Sequence, residues 1–185
     1  IGHMLNGKPI SCIQSPETGR ELKFNKLKPP LKKRQILIIG GGPAGMKAAT
    51  VAASRGHEVK LIEASSKLGG QINLAEKLPG RSEFGGITTN LANKLNRQNV
   101  EIKLNTKVSA DFVMQEAPEV VILATGGRSF EPIIEGRENA HVVTAWQILE
   151  GKANVGSRVA IADWRCDWVG LGLAELLARQ GCHVR

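Results

Sequence analysis

Tyrosine is absent from this 185-residue chain, and four phenylalanines and three tryptophans are its only other large aromatic residues. A protein that reads nucleic acid needs a basic face interleaved with stacking rings, so this scarcity argues against that class. Cysteine is also scarce: Cys12, Cys166 and Cys182 are too few and too scattered for a disulfide framework, which fits a reduced compartment. No run of 18 apolar residues and no signal peptide is present, so neither a membrane partner nor export is expected and a soluble cytoplasmic protein is. Acid is missing from the start of the chain. Only Glu17 and Glu21 lie before Arg34, against eight of the 25 basic residues at or before it, so most of the net charge of +8 belongs to a leader. The remainder is nearly balanced, and its length leaves room for one good core, or one domain and part of another.

What is present begins at Arg34. Ile36-Leu37-Ile38-Ile39 reads as a buried strand, Gly40, Gly42 and Gly45 fall on the G-x-G-x-x-G spacing, and a helix rich in small residues (Ala48, Ala49, Ala52, Ala53) follows. A second strand ends in Glu63, about 20 residues beyond the glycines, which is the context a dinucleotide-binding motif requires. Gly40 makes the tight turn, Gly42 lets a pyrophosphate approach the backbone, and Gly45 lets the helix pack closely. The helix starts at about Pro43 and turns its free N–H groups and positive dipole end, including those near Ala44, toward the phosphates. Glu63 can accept hydrogen bonds from both ribose hydroxyls, and its charge disfavours a 2′-phosphate. The expected ligand at this turn is therefore an ADP moiety, as FAD, NAD or ADP, and not NADP.

Residues 1–33 hold Pro9, Pro16, Pro29 and Pro30 without strand or helix periodicity and read as an extended basic leader; Gly2-His3-Met4 has the look of an expression scar. Residues 34–156 read as an α/β domain with a parallel sheet. Within it, Gly69-Gly70-Gln71 forms a second glycine turn, a short helix runs through Leu78, and a longer helix covers Glu83 to Gln98. Val100 to Leu104 is a short strand, continued at Lys107-Val108. Pro118 to Ala124 is a continuous apolar strand suited to the middle of a sheet covered on both faces. A helix is expected near Thr144 to Leu149, and a strand from Arg158 to Ala162. Residues 173–184 repeat the pattern of 48–59, and counting back from Gly181 makes Gly170 the third glycine of a second βαβ unit at 157–185. Its first two glycines are replaced within Asp163-Trp164-Arg165-Cys166-Asp167-Trp168, a longer turn.

Two glycine turns, the Ala124-Thr125-Gly126 strand end and a second nested βαβ unit resemble the flavoproteins built on two dinucleotide-binding domains. More narrowly, Gly7-Lys8-Pro9-Ile10-Ser11-Cys12-Ile13-Gln14-Ser15-Pro16 with Gly19-Arg20-Glu21, followed by Gly40 to Gly45 and Gly69 to Ala75, looks like the C-terminal part of iron–sulfur flavoproteins related to 2,4-dienoyl-CoA reductase and trimethylamine dehydrogenase. The resemblance covers essentially the whole chain. It implies a Rossmann-like FAD/NAD(P)-binding fold with a parallel sheet plus the start of a second βαβ unit, preceded in the parent polypeptide by an FMN barrel of the old yellow enzyme type. It also implies a [4Fe-4S] cluster with Cys12 as fourth ligand; alone, one thiolate cannot hold such a cluster. FAD or ADP would contact Gly40, Gly42, Pro43, Ala44, Gly45 and Glu63, with Gly69, Gly70 and Gln71 as a second phosphate-side turn, Val108 at the adenine and Thr125-Gly126 at the strand end; Ala124 reads as core.

Two activities fit the resemblance. An amine-dehydrogenase-like or demethylase-like enzyme passes electrons outward from FMN through the cluster to an acceptor, which can be an electron-transfer protein. A dienoyl-CoA-reductase-like enzyme takes hydride from NADPH at the second unit. The degraded second turn favours the first. A non-catalytic nucleotide-binding module is the alternative from another class. No catalytic acid, base or nucleophile can be assigned, and by itself the chain is expected to be inactive. Trp164 and Trp168 are expected to pack against a neighbouring domain more readily than to stack on a ligand, and Cys166 and Cys182 to be small buried hydrophobes.

Overall fold

The computed structural model describes residues 5–8, 12, 15–24 and 27–185. Gly2-His3-Met4 and the leader positions Pro9, Ile10, Ser11, Ile13 and Gln14 lie outside them. The chain divides into two compact units, one of residues 1–70 and 86–126 and the other of residues 71–85 and 127–185.

In the first unit the leader includes a turn of helix, α1 (Glu21–Phe24), with no buried residue. Its periodicity was too short to be read. Among the described residues, three polar contacts fasten the leader. Lys47 Nζ meets Glu17 Oε1 at 2.5 Å, Arg55 Nε donates to the Lys28 carbonyl at 3.3 Å, and Lys32 Nζ meets Glu119 Oε1 at 2.6 Å. Strand β1 (Gln35–Ile39) buries Ile36, Leu37 and Ile38 and leads through the glycine turn into α2 (Pro43–Ser54). Proline suits the first helical position because the N–H it lacks would have no intrahelical partner there. Helix α2 buries Gly45, Ala49 and Ala52, small enough to bring its axis close to the sheet, together with Met46, and ends where Gly56 takes a positive φ of 92°. Strand β2 (Glu58–Ile62) then pairs with β1 in parallel register.

Strand β3 (Glu101–Lys103) pairs with β2, and β4 (Val120–Leu123) with β1, giving the all-parallel order β3-β2-β1-β4. A parallel α/β sheet and the expected fold class are thereby observed. The order reverses at β1 and β4, so their carboxyl ends make the crevice where open α/β sheets bind ligands. Numbering the intervening helices in chain order, α3 is Ile72–Ala75 and α4 is Gly85–Arg97, the latter preceded by a 3₁₀ turn at Ser82–Phe84. Helix α4 buries Ile87, Leu91 and Leu95 at four-residue spacing, in agreement with the helix expected from Glu83 to Gln98.

Several details of these elements differ from the sequence reading: the helix read through Leu78 ends at Ala75, and the strand read from Val100 to Leu104 covers Glu101–Lys103. Strand β4 is an edge strand: Val121 is 38% and Leu123 74% exposed, because β1 is its only neighbour among the described residues. An apolar run cannot by itself tell a covered strand from one exposed on a face. Lys107-Val108 is loop and not strand. Finally, α5 (Ala110–Glu116) was not expected, although Ser109 marks its start by accepting the Phe112 N–H at 3.2 Å.

The second unit has its own core of Leu78, Leu149, Leu173 and Leu177. Helix α6 (Ala145–Leu149) begins with a capping box between Thr144 and Gln147, and the Lys77 ammonium donates to the Leu149 carbonyl. Strands β5 (Arg158–Val159) and β6 (His183–Val184) pair in parallel around α7 (Trp168–Arg179). With Gly170 set against Gly45, α7 and α2 correspond end to end at 12 residues each, and Gly181 at φ 90° matches Gly56. The internal repeat is therefore structural, although β5 has two residues and not the five expected from Arg158 to Ala162.

Candidate functional site

The three motif glycines do different physical work. Gly40 has φ 112°, and a Cβ there would lie 2.7 Å from the Ala124 carbonyl carbon, closer than atoms can approach. Its N–H donates to the Ile62 carbonyl at 2.8 Å while Ala124 N–H donates to Ile39 at 2.8 Å, so the strand ends are locked around it. A Cβ on Gly45 would overlap the Gly40 carbonyl oxygen and come within 3.3 Å of Ala124 Cβ. Both glycines are thus required by the protein itself. Gly42 is not. Its φ of −73° and ψ of 179° are open to any residue, and the nearest atom to a Cβ there is Gly70 Cα at 4.0 Å.

The second glycine turn lies against the first. Gly69 N–H donates to the Gly41 carbonyl at 2.9 Å, and Gly70, at φ 53°, would bring a Cβ within 3.1 Å of Gly42 Cα. The structure therefore gathers Gly40, Gly42, Gly45, Gly69 and Gly70 at the start of α2, with Gly45 and Gly69 buried, Gly40 and Gly42 half-buried and Gly70 exposed. Pro43 is half-buried and Ala44 exposed at that helix start. Thr125 and Gly126 are exposed at the end of β4, next to Gly40. Ala124, read as core, is half-buried and forms the floor beneath the glycines. Val108 lies half-buried in the loop after β3, two residues past Thr106, whose N–H donates to the Glu63 carbonyl at 3.0 Å. Gln71 belongs to the second unit, where its Nε2 donates to the Gly127 carbonyl at 3.5 Å. Cys12 is a half-buried free thiol.

Glu63 carries resident donors that its position in the sequence does not reveal. Oε2 accepts the Gly41 N–H at 2.6 Å; Oε1 accepts the Ser65 N–H at 2.7 Å and the Ser65 hydroxyl at 2.8 Å. Gly41 and Ser65 are accordingly the residues that sequence reasoning missed. Partial burial pushes the Glu63 carboxyl up, but the amides of Ser65 and Gly41, with the Ser65 hydroxyl, outweigh it and hold the group below its ordinary 4.5. A depressed folded-state value contributes stability that is present above the unfolded value and disappears as the carboxylate takes a proton. We expect the stability advantage of the wild type over Glu63→Gln to be constant from pH 7 down to about 4.5 and to vanish below it. Chemical denaturation across that range measures it, and an advantage surviving at pH 2 would refute the assignment.

The second unit presents a different helix start. Asp167 Oδ1 accepts the Val169 N–H at 2.9 Å as the N-cap of α7, and its Oδ2 meets Arg165 Nε at 2.7 Å. Asp163 Oδ1 accepts the amides of Arg165 at 2.9 Å and Cys166 at 3.1 Å, and a Cβ on Gly170 would fall 2.7 Å from Asp163 Cγ. Cys166 is exposed in this turn at φ 49°, contrary to the expectation of a buried thiol, because the tight loop turns it outward. Cys182 does pack against the second core. Trp168 packs within its own unit, its ring tilted 56° to that of Phe84 at 5.8 Å with the Arg81 guanidinium 5.0 Å over it, whereas Trp164 is exposed. Among the described residues, no group of three or more His, Cys, Asp or Glu is placed to hold a metal ion, and no helix is long and apolar enough to cross a membrane.

Over residues 34–161 the chain matches the family described as pyridine nucleotide-disulphide oxidoreductase. It belongs to that family. The N,N-dimethylglycine/sarcosine dehydrogenase of Chromohalobacter salexigens is 39% identical across 100% of this chain, which spans 28% of that protein. The bilirubin reductase of Mediterraneibacter gnavus is 37% identical over 97% of the chain and 28% of its own length. A solved structure of 2-naphthoyl-CoA reductase with 2-naphthoyl-CoA superposes at a TM-score of 0.91 and 33% identity, covering 98% of this chain and 27% of that one. The resemblance to flavoproteins of the amine dehydrogenase and CoA-ester reductase kind is borne out, and the relatives are oxidoreductases. The chain spans little more than a quarter of the relatives' length.

Proposed function

We propose that residues 34–156 bind an ADP-containing ligand, FAD or ADP itself, as the nucleotide domain of an FMN and [4Fe-4S] oxidoreductase that works in the direction of amine oxidation. The observation that carries the reading is Gly42. Neither its backbone conformation nor any neighbour requires glycine, so the space beside it, bordered by Gly70 and headed by the start of α2, is best explained by an incoming group. Bare backbone fits a pyrophosphate, and the Glu63 carboxylate fits a ribose and repels a 2′-phosphate. Pro43, Ala44 and the Gly69-Gly70 turn would flank the phosphates, Val108 the adenine and Thr125-Gly126 the far side. FAD at this place would supply electron relay, whereas ADP would only stabilise the fold. Gln71 is retained as a candidate contact.

In the parent protein, residues 157–185 would open a second nucleotide-type domain. Cys12 would be one of four cluster ligands, the other three supplied by the parent polypeptide, as the family resemblance implies. The N-terminal FMN barrel and an electron-accepting protein would be its partners, in the cytoplasm. The reductase relatives favour a second reading, in which NADPH delivers hydride at the second unit; the carboxylate-capped start of α7 speaks against it.

The test is calorimetric titration of the 185-residue chain with ADP, alongside Gly42→Val. A branched side chain in that space should weaken binding by at least about tenfold, roughly 1.4 kcal/mol. Unchanged affinity in the variant would remove the site from this loop.

A further inference from the structure

The Ser65 hydroxyl stands between two acceptors. Its Oγ is 2.8 Å from Glu63 Oε1 and 2.8 Å from the Lys67 carbonyl oxygen, yet one hydroxyl has one proton and can donate to only one of them at a time. The backbone around it is pinned: Ser65 carbonyl accepts the Asn105 N–H at 3.0 Å, and Glu63 carbonyl accepts the Thr106 N–H at 3.0 Å. Choosing between the acceptors therefore needs only a rotation of the hydroxyl proton. Meanwhile Glu63 Oε2 accepts the Gly41 amide, whereas Oε1 accepts both the amide and the hydroxyl of Ser65.

Resting on the nucleotide reading above, we propose that Ser65 is a specificity-setting positioning residue that lets Glu63 receive the cis-diol of a ribose: one hydroxyl donates to Oε2 and the other replaces the Ser65 proton on Oε1, which turns to the Lys67 carbonyl. With no ribose, or with a ribose lacking the hydroxyl that meets Oε1, the Ser65 proton returns to Oε1. The serine thus acts as a stand-in for the missing hydroxyl. It keeps the carboxylate oxygen supplied with two donors in every state and blunts the selection against deoxynucleotides. A charge-assisted hydrogen bond is stronger than a neutral one, so the ribose hydroxyl gains on Oε1 only the difference left after the serine moves.

The distinguishing measurement is the affinity ratio of ADP to 2′-deoxy-ADP and to 3′-deoxy-ADP, by calorimetry, in the wild type, Ser65→Ala and Ser65→Thr. In the wild type the deoxy analogue that lacks the hydroxyl facing Oε1 should bind only about two- to threefold more weakly, because Ser65 compensates there, whereas the analogue lacking the hydroxyl that meets Oε2 receives no such compensation. In Ser65→Ala no stand-in remains, and the penalty for at least one analogue should rise to about tenfold or more, as for a lost hydrogen bond to a charged group. Ser65→Thr keeps the hydroxyl and should restore the small ratio. A purely structural role for Ser65 would weaken all three nucleotides together and leave the ratios unchanged, and that result overturns the proposal. Failure of ADP itself to bind the wild type is a separate outcome, which overturns the nucleotide reading and this inference with it.

Discussion

Gly45→Ala is expected to be among the most damaging single substitutions in the first unit, and Gly42→Ala among the mildest in the same motif. The added methyl at position 45 overlaps the Gly40 carbonyl oxygen and presses on Ala124, so the start of α2 must lift from the turn. Overpacking costs about 1–3 kcal/mol, and in a chain of this size the melting temperature should fall by roughly 2–12 °C. At position 42 the backbone is already extended, and the nearest atom lies at van der Waals distance. Alanine is a poorer N-cap than glycine, so a cost within about 1 kcal/mol is expected there. Thermal unfolding followed by circular dichroism compares the two directly. Equal destabilisation would mean that Gly42 is held by the fold and is no evidence for a ligand.

That contrast also marks what the sequence could convey. The spacing of Gly40, Gly42 and Gly45 after an apolar strand disclosed the motif, because these are local consequences of a turn and a helix start. It did not disclose which glycine serves the fold, since the obstacle to Gly40 is Ala124 and the obstacle to Gly45 is Gly40 itself, contacts made only when β4 arrives beside β1. Ser65 and Gly41 escaped notice for the same reason: their meaning depends on where the Glu63 carboxylate turns. The end-to-end match of α7 with α2 was legible from Gly170 and Gly181, because a helix between two fixed turns has a fixed length. The exposure of Leu123 was not, because strand polarity reports on a residue and not on what covers it.

The remaining expectation with a large effect is that the second unit takes no nicotinamide dinucleotide. A pyrophosphate at α7 would need the amides that the first unit leaves bare, but Asp167 already accepts the Val169 N–H and Asp163 those of Arg165 and Cys166. The Val169 amide and then Arg165 hold the Asp167 carboxyl below its usual range, so it remains ionised at neutral pH. Arg165 is the cation of this turn, and its Nε is paired with that same carboxylate. An incoming pyrophosphate, doubly negative, would meet repulsion where the first unit offers a positive helix end. Stoichiometry separates the two loops. NADH shares its ADP half with the first-loop ligand, so it should bind the chain once and be displaced by ADP. NADPH, whose 2′-phosphate is repelled by Glu63 and whose pyrophosphate is refused at α7, should give no saturable heat at millimolar concentration, a range corresponding to about 4 kcal/mol of binding. A second equivalent of NADH that ADP cannot displace, or saturable NADPH binding, would establish a working nicotinamide site and return the protein to the reductase reading.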